Sequence, residues 1–256
     1  MSARAIIAAL ALPPEARVDE RVPKKMLVEQ SDPTTADKRQ ILEGIDELLW
    51  LAALKPSNIG VAEYRDQARE YLEIAVLTVA LRPTAKAPRL TELIHRAIPY
   101  PVVLVTSQGG EVSLSLAHKR FSQNEVGATV LDGAVIASPP ISTQPTLISD
   151  HPDRRFLESL PLAAQPRVQL CAIYQGWVER VEALQAARLT GRFVLAPTPE
   201  VAADRRNALV EYDSIQREIT SLRARAEKES QINRRVELNL AIRRLEGELA
   251  LAAKNL

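Results

Sequence analysis

The chain has 256 residues, 46% of them hydrophobic, and 33 Lys plus Arg set against 32 Asp plus Glu leave a formal net charge of +1. This is enough apolar material for one large or two modest cores, and it excludes a whole-molecule attraction to nucleic acid or to an anionic membrane, so only local patches could serve either. The single cysteine, Cys171, excludes an intrachain disulfide and a cysteine-rich zinc site; it suits a reducing cytoplasm, the expected compartment, and is expected to be a small buried side chain.

In chain order, Ala5 to Leu12 is an apolar run followed directly by Pro13 and Pro14. It lacks the length and cleavage pattern of a signal peptide and reads as a short buried helix. Asp37 to Leu54 carries Ile41, Ile45, Leu48, Leu49 and Ala52 at helical spacing and is expected to be one amphipathic helix stopped by Lys55-Pro56. Tyr71 to Leu81 is a near-continuous β-branched and aliphatic run, the pattern of a buried strand. Arg89 to Ile98 reads as a helix ended by Pro99. Two strands, Pro101 to Thr106 and Glu111 to Ala117, flank Gln108-Gly109-Gly110, the residues of a tight hairpin turn. Val126 to Ala137 is expected as a further strand and the proline-rich stretch from Ser138 to Pro152 as a loop. Helices are expected over Asp153 to Leu160 and Val168 to Leu189, the second capped by Gly191.

This order implies an α+β fold, a mostly antiparallel sheet with helices packed on one side of it, followed by a long C-terminal helix or helical hairpin of coiled-coil character. The expected domains are an α+β body over residues 1–200 and a helical segment over 201–256, joined at Pro197-Thr198-Pro199. No stretch has the run of about 20 apolar residues that a membrane span needs, so no membrane contact is expected.

In the tail, Ile215, Ile219, Leu222 and Ala226 follow the spacing of a paired helix, as do Leu238, Ile242, Leu245, Leu249, Ala252 and Leu256. The two stripes are out of phase by roughly 120° at about 100° per residue. Either one continuous helix shows two faces to its partners, or the chain breaks within Lys228 to Asn233, where Ser230 could cap a second helix. Ile215, Ile219, Leu222, Asn233, Val236, Asn239, Ile242, Leu245 and Leu249 are the candidate partner-binding residues, the asparagines as possible register-setting amides.

Motifs with chemistry are sparse. Glu29 and Glu73 are thin candidates for a metal-dependent nuclease, no histidine pair has metal-ligand spacing, and no glycine-rich phosphate loop or nucleophile motif occurs. No cofactor and no metal are expected, and a non-catalytic role is favoured over an enzyme. The basic groups Lys24, Lys25, His95, Arg96, His118, Lys119 and Arg120 stand at element ends and could form one cleft for phosphate oxygens. The competing reading is that they are solvated, cap helix carbonyls, or, for His95, hydrogen-bond in the interior.

Several stretches together resemble one family: Arg21 to Leu27 (RVPKKML), Trp50 with Leu54-Lys-Pro56, Tyr71 to Val76, His95 to Pro101, Ala117 to Arg120, and the tail run Glu227 to Asn239. The chain is identified on these as similar to the domain of unknown function 4391 family, bacterial proteins encoded beside methyltransferase and helicase genes of type III-like restriction and phage-defence islands. The resemblance implies an accessory subunit of a DNA restriction-modification or phage-defence complex, docking through its C-terminal helices to a methyltransferase, a helicase or a second copy. The alternative is a nucleic-acid-binding module or nuclease that uses the basic cleft, with DNA as its partner.

Overall fold

The computed structural model describes residues 3–31, 33–123, 127–142 and 150–256. The chain divides into two compact units, Met1–Val181 and Glu182–Leu256, the division falling inside one helix.

The first unit begins with α1 (Ala3–Ala9), which buries Ile6, and continues through β1 (Arg17–Arg21), α2 (Lys24–Gln30) and α3 (Thr35–Gly44). Then comes β2 (Ile45–Leu54), a strand where the sequence suggests the second half of a helix. Two observations explain the difference. An apolar run such as Leu48-Leu-Trp-Leu-Ala-Ala-Leu54 has no decisive period, and pairing with β1 on one side and with β5 (Ile74–Leu81) on the other overrides its helical propensity. Gly44 marks the switch: a Cβ there would stand 2.9 Å from Leu90 Cδ1 and 3.1 Å from Ala85 Cβ, so helix, strand and neighbour approach as only glycine allows.

The short α4 (Pro56–Ile59) and the ribbon of β3 (Tyr64–Arg65) with β4 (Glu70–Tyr71) precede β5. A crossover helix, α5 (Ala87–Ala97), returns the chain so that β6 (Val102–Gln108) lies parallel to β5, as such a connection permits. β7 (Glu111–Ala117) folds back on β6 through Gly109 and Gly110, whose φ values of 57° and 89° are the left-handed pair that a two-residue hairpin loop demands.

The stretch expected as one strand up to Ala137 forms two short ones, separated by a turn at Gly133 (φ 92°). β9 (Thr129–Leu131) pairs with β8 (Lys119–Phe121), and β10 (Ile136–Ala137) pairs with β7; Val126 lies outside the described residues, as do residues 143–149 of the expected proline-rich loop. The six-stranded sheet runs β1-β2-β5-β6-β7-β10 and is antiparallel except for β5 with β6.

Both sheet faces are buried, and one of them carries a continuous apolar cluster. Ala75, Leu77, Val79 and Leu81 of β5, with Val102 and Leu104 of β6, meet Leu27, Ile41, Leu90, Leu93 and Ile94 from α2, α3 and α5. Thr78, Ala80 and Ser107 alternate onto the opposite face, where α1 lies, so helices flank both faces rather than the one expected from sequence. Thr34 caps α3, and Asp37 of its first turn receives two hydrogen bonds from Arg89, at 2.8 and 2.7 Å, which tie α3 to α5. α6 (Pro152–Ser159) and α7 (Leu170–Thr190) follow, with Trp177 buried and donating to the Leu160 carbonyl at 2.9 Å.

The second unit holds the last turns of α7, then α8 (Pro199–Lys228) and α9 (Ile232–Ala252). Gly191, at φ 77°, ends α7 with its N–H on the Ala187 carbonyl, and Thr198 caps α8. The tail is a hairpin. It turns at Glu229 to Gln231, with Gln231 at the α9 cap position in place of the expected Ser230. Ile219 and Leu222 of α8 pack against Ile242 and Leu245 of α9, flanked by Ile215, Leu238 and Leu249. Among the described residues, no helix is long and apolar enough to cross a membrane.

Candidate functional site

The seven basic residues singled out from sequence do not gather in one cleft. Lys119 is buried, and its ammonium donates to the carbonyls of His95 and Ile98, the latter at 2.8 Å, closing the C-terminal end of α5. Burial pushes its pKa down to about 8. His95 is buried completely, with Nε2 3.0 Å from the Ser115 hydroxyl; burial, then the neighbouring Lys119 charge, push its pKa down to about 3, so the ring is neutral. Neither is placed to meet a ligand. Lys24 donates to the Leu42 and Ile45 carbonyls at the α3–β2 junction, and Lys25 pairs with Glu29 at 3.4 Å on the surface. Glu73, the other carboxylate considered for a metal, is held by Lys55 at 3.1 Å. Among the described residues, no group of His, Cys, Asp or Glu is arranged to hold a metal ion.

His118 joins a chain of polar groups that the sequence did not disclose. Gln175 presents its carbonyl oxygen to Nε2 at 3.0 Å, so Nε2 carries the proton and the Tyr71 hydroxyl donates to Nδ1 at 2.5 Å. The Gln175 amide in turn donates to Glu179 at 3.1 Å. Burial pushes the Tyr71 phenol far above its ordinary range, so it remains a neutral donor. Cys171 lies beside Tyr71 and is half-buried rather than fully buried as expected; burial also raises its thiol, which is therefore protonated at neutral pH and unsuited to nucleophilic attack. Tyr174, entirely buried, donates to the Val102 carbonyl and accepts from the Ala117 N–H at 2.7 Å. The cluster locks α7 to the ends of β6 and β7.

Arg96 and Arg120 do share a groove. They line a groove of about 830 Å³ with Gln30, Glu92, Thr129 and Val130. Arg96 is held by Glu92 at 2.6 Å and Arg120 lies 4.0 Å from Asp132, so both guanidinium groups are partly neutralised. A second open pocket, of about 720 Å³, lies on the opposite sheet face, lined by Ile7, Leu49 and Ala80 together with Arg4, Arg17 and Glu47.

The helical hairpin presents a different kind of surface. Ile219, Leu222, Ile242 and Leu245, four of the candidate partner residues, are spent on each other inside the hairpin, and Ile215 and Leu249 pack against them. Asn233 and Asn239 are exposed and set no register in that seam. Val236 alone of the candidates points away as a large apolar side chain, and it has company: Ile232, Val236, Leu240 and Leu251 are 68%, 50%, 59% and 61% exposed. At about 100° per residue these four share one face, roughly half a turn from the Leu238, Ile242, Leu245 and Leu249 face that closes the hairpin. The exposed stripe runs about 28 Å along α9 at about 1.5 Å per residue. Ile232, Leu240 and Leu251 form a weaker second stripe that the inner one masks in the linear sequence; a helical-wheel projection of α9 separates the two.

These features define a class first: a mixed α+β sheet domain continued by a helical hairpin that is apolar on its inside and along one outer line. The chain belongs to the family Domain of unknown function (DUF4391), whose model matches residues 10–249. Comparison with curated proteins and with solved structures found no match.

Proposed function

We propose that the chain is a non-catalytic interaction subunit that docks a protein partner along the outer face of α9. The observation that carries this reading is the line of Ile232, Val236, Leu240 and Leu251, all at least half exposed on a helix whose opposite face is already satisfied. A contiguous apolar line of that kind is costly in water and characteristic of a surface that is covered in use. The gene neighbourhood implied by the family resemblance supports a methyltransferase or helicase of a bacterial DNA restriction-modification or phage-defence complex as the partner. The test is co-expression with those neighbours. Wild-type chain co-elutes with one of them, whereas Val236→Arg/Leu240→Arg elutes alone with unchanged melting; co-elution that survives the double substitution refutes the reading.

A second reading, nucleic-acid binding, is favoured by the convergence of Arg96 and Arg120 on one groove. It requires salt-sensitive DNA binding that is lost in Arg96→Ala/Arg120→Ala. Binding that persists in that variant, or none in the wild type at low salt, removes it.

A further inference from the structure

The outer face of α9 carries a charge as well as a line of hydrophobic groups. Arg243 falls inside the stripe, between Leu240 and Leu251, and is exposed. Among the described residues it makes no ion pair, while its neighbours are engaged elsewhere: Arg244 with Glu248 at 3.5 Å, and Glu246 with Arg223 of α8 at 2.7 Å. Gly247 and Ala250 lie on the same face, both exposed, and a Cβ on Gly247 would meet nothing within 4 Å. The face thus offers large apolar groups towards its ends, a single unpaired guanidinium near its centre, and a low patch where another backbone can approach closely.

From this we infer that the occupant of the α9 face is an amphipathic helix of another protein that sets a carboxylate opposite Arg243. The inference rests on the docking reading above and gives the partner its chemistry. A second copy fits poorly. To cover the whole stripe from Ile232 to Leu251, an antiparallel copy must place its two-fold axis near Leu240 to Arg243, which brings the two Arg243 groups within about one turn of each other in an apolar seam. A parallel copy sets them side by side. Sliding the copy until the guanidinium groups separate leaves Ile232 and Val236 bare. A carboxylate from a different helix neutralises Arg243 in the same place where self-association would leave two like charges, so one residue both attracts the partner and discriminates against homodimers.

The experiment uses the full chain and two labelled synthetic helices of equal length with the same leucine stripe, one bearing Glu and the other Lys at its centre, read by fluorescence polarisation. The Glu helix binds at least about tenfold tighter than the Lys helix at low salt, the preference narrows as salt rises, and it inverts in Arg243→Glu. Equal binding of the two helices, no binding of either, or a preference unchanged in Arg243→Glu overturns the inference. So does a concentration-dependent dimer in sedimentation that Leu240→Arg abolishes, since the occupant is then a second copy. These failures are separable from failure of the docking reading, which is decided by loss of native co-elution in Val236→Arg/Leu240→Arg.

Discussion

Replacing Lys119 with Met tests whether this residue is structural or a ligand-binding cation. In the native fold the residue is 1% exposed and its ammonium satisfies two carbonyls at the end of α5. Removing it orphans both, at about 1–3 kcal/mol each, and relieves the desolvation of a charged group, so a net loss of about 2 kcal/mol is expected at pH 7.5. The pH dependence is more diagnostic. With a folded pKa of about 8 against an ordinary lysine value of 10.5, the unfolded chain binds more protons than the native one between those values. Wild-type stability therefore rises with pH through that window, and the gap between wild type and Lys119→Met widens by about 2 kcal/mol from pH 7.5 to 9.5, at about 1.36 kcal/mol per unit. Contributions from the tyrosines are common to both proteins and cancel in the difference. Urea unfolding followed by tryptophan fluorescence is the assay, because Trp50 and Trp177 both belong to the first compact unit. A gap that stays constant with pH means that the two carbonyls hold the ammonium charged and refutes the burial argument; a variant as stable as wild type refutes the structural role.

Other outcomes follow from the same geometry. His95, with its pKa pushed down to about 3, resists protonation in the fold, so stability is lost as pH falls below about 6.5, by about 2–3 kcal/mol at pH 4.5; in His95→Gln this acid dependence shrinks in the same urea titration. Gly176→Ala places a Cβ 2.8 Å from both Gln165 Oε1 and Pro166 Cδ, and Gln165 is pinned by donating to the Ser159, Leu160 and Pro161 carbonyls. A loss of about 1–3 kcal/mol is expected from overpacking, measured by the urea midpoint. Leu245→Ala opens the inner seam of the hairpin, where Leu245 is 4% exposed, and costs about 3 kcal/mol, whereas Leu240→Ala on the outer face changes stability by less than about 0.5 kcal/mol. Thermal melting by circular dichroism separates the two.

What was legible in the sequence was what is decided locally. The Gly109-Gly110 turn is dictated by two positive φ values, and α5 by a clean amphipathic period between prolines. β2 was not, because its residues are strand only by virtue of β1 and β5 on either side; the usable clue was Gly44, a glycine where a continuous helix has no use for one. The inner stripe of the tail was readable from its spacing, but spacing does not say which helix supplies the other half of a seam. Here it is the chain itself, and the apolar line left exposed lies on the far side of α9. By sequence Lys119 and His95 read either as candidate phosphate ligands or as capping and interior groups, because charged and titratable side chains are usually exposed. Their burial depends on an α5 end being brought over β7 and β8 by the folded sheet, which no local pattern encodes.

On the docking reading, a partner covers the outer face of α9 in the working protein. Hydrogen–deuterium exchange, comparing the isolated chain with the complex formed with a co-eluting neighbour, tests it most directly. Protection gained on assembly is expected to concentrate in residues 232–251, with the inner-seam residues of α8 little changed. Protection gained in residues 3–181 while α9 exchanges as it does alone would contradict it.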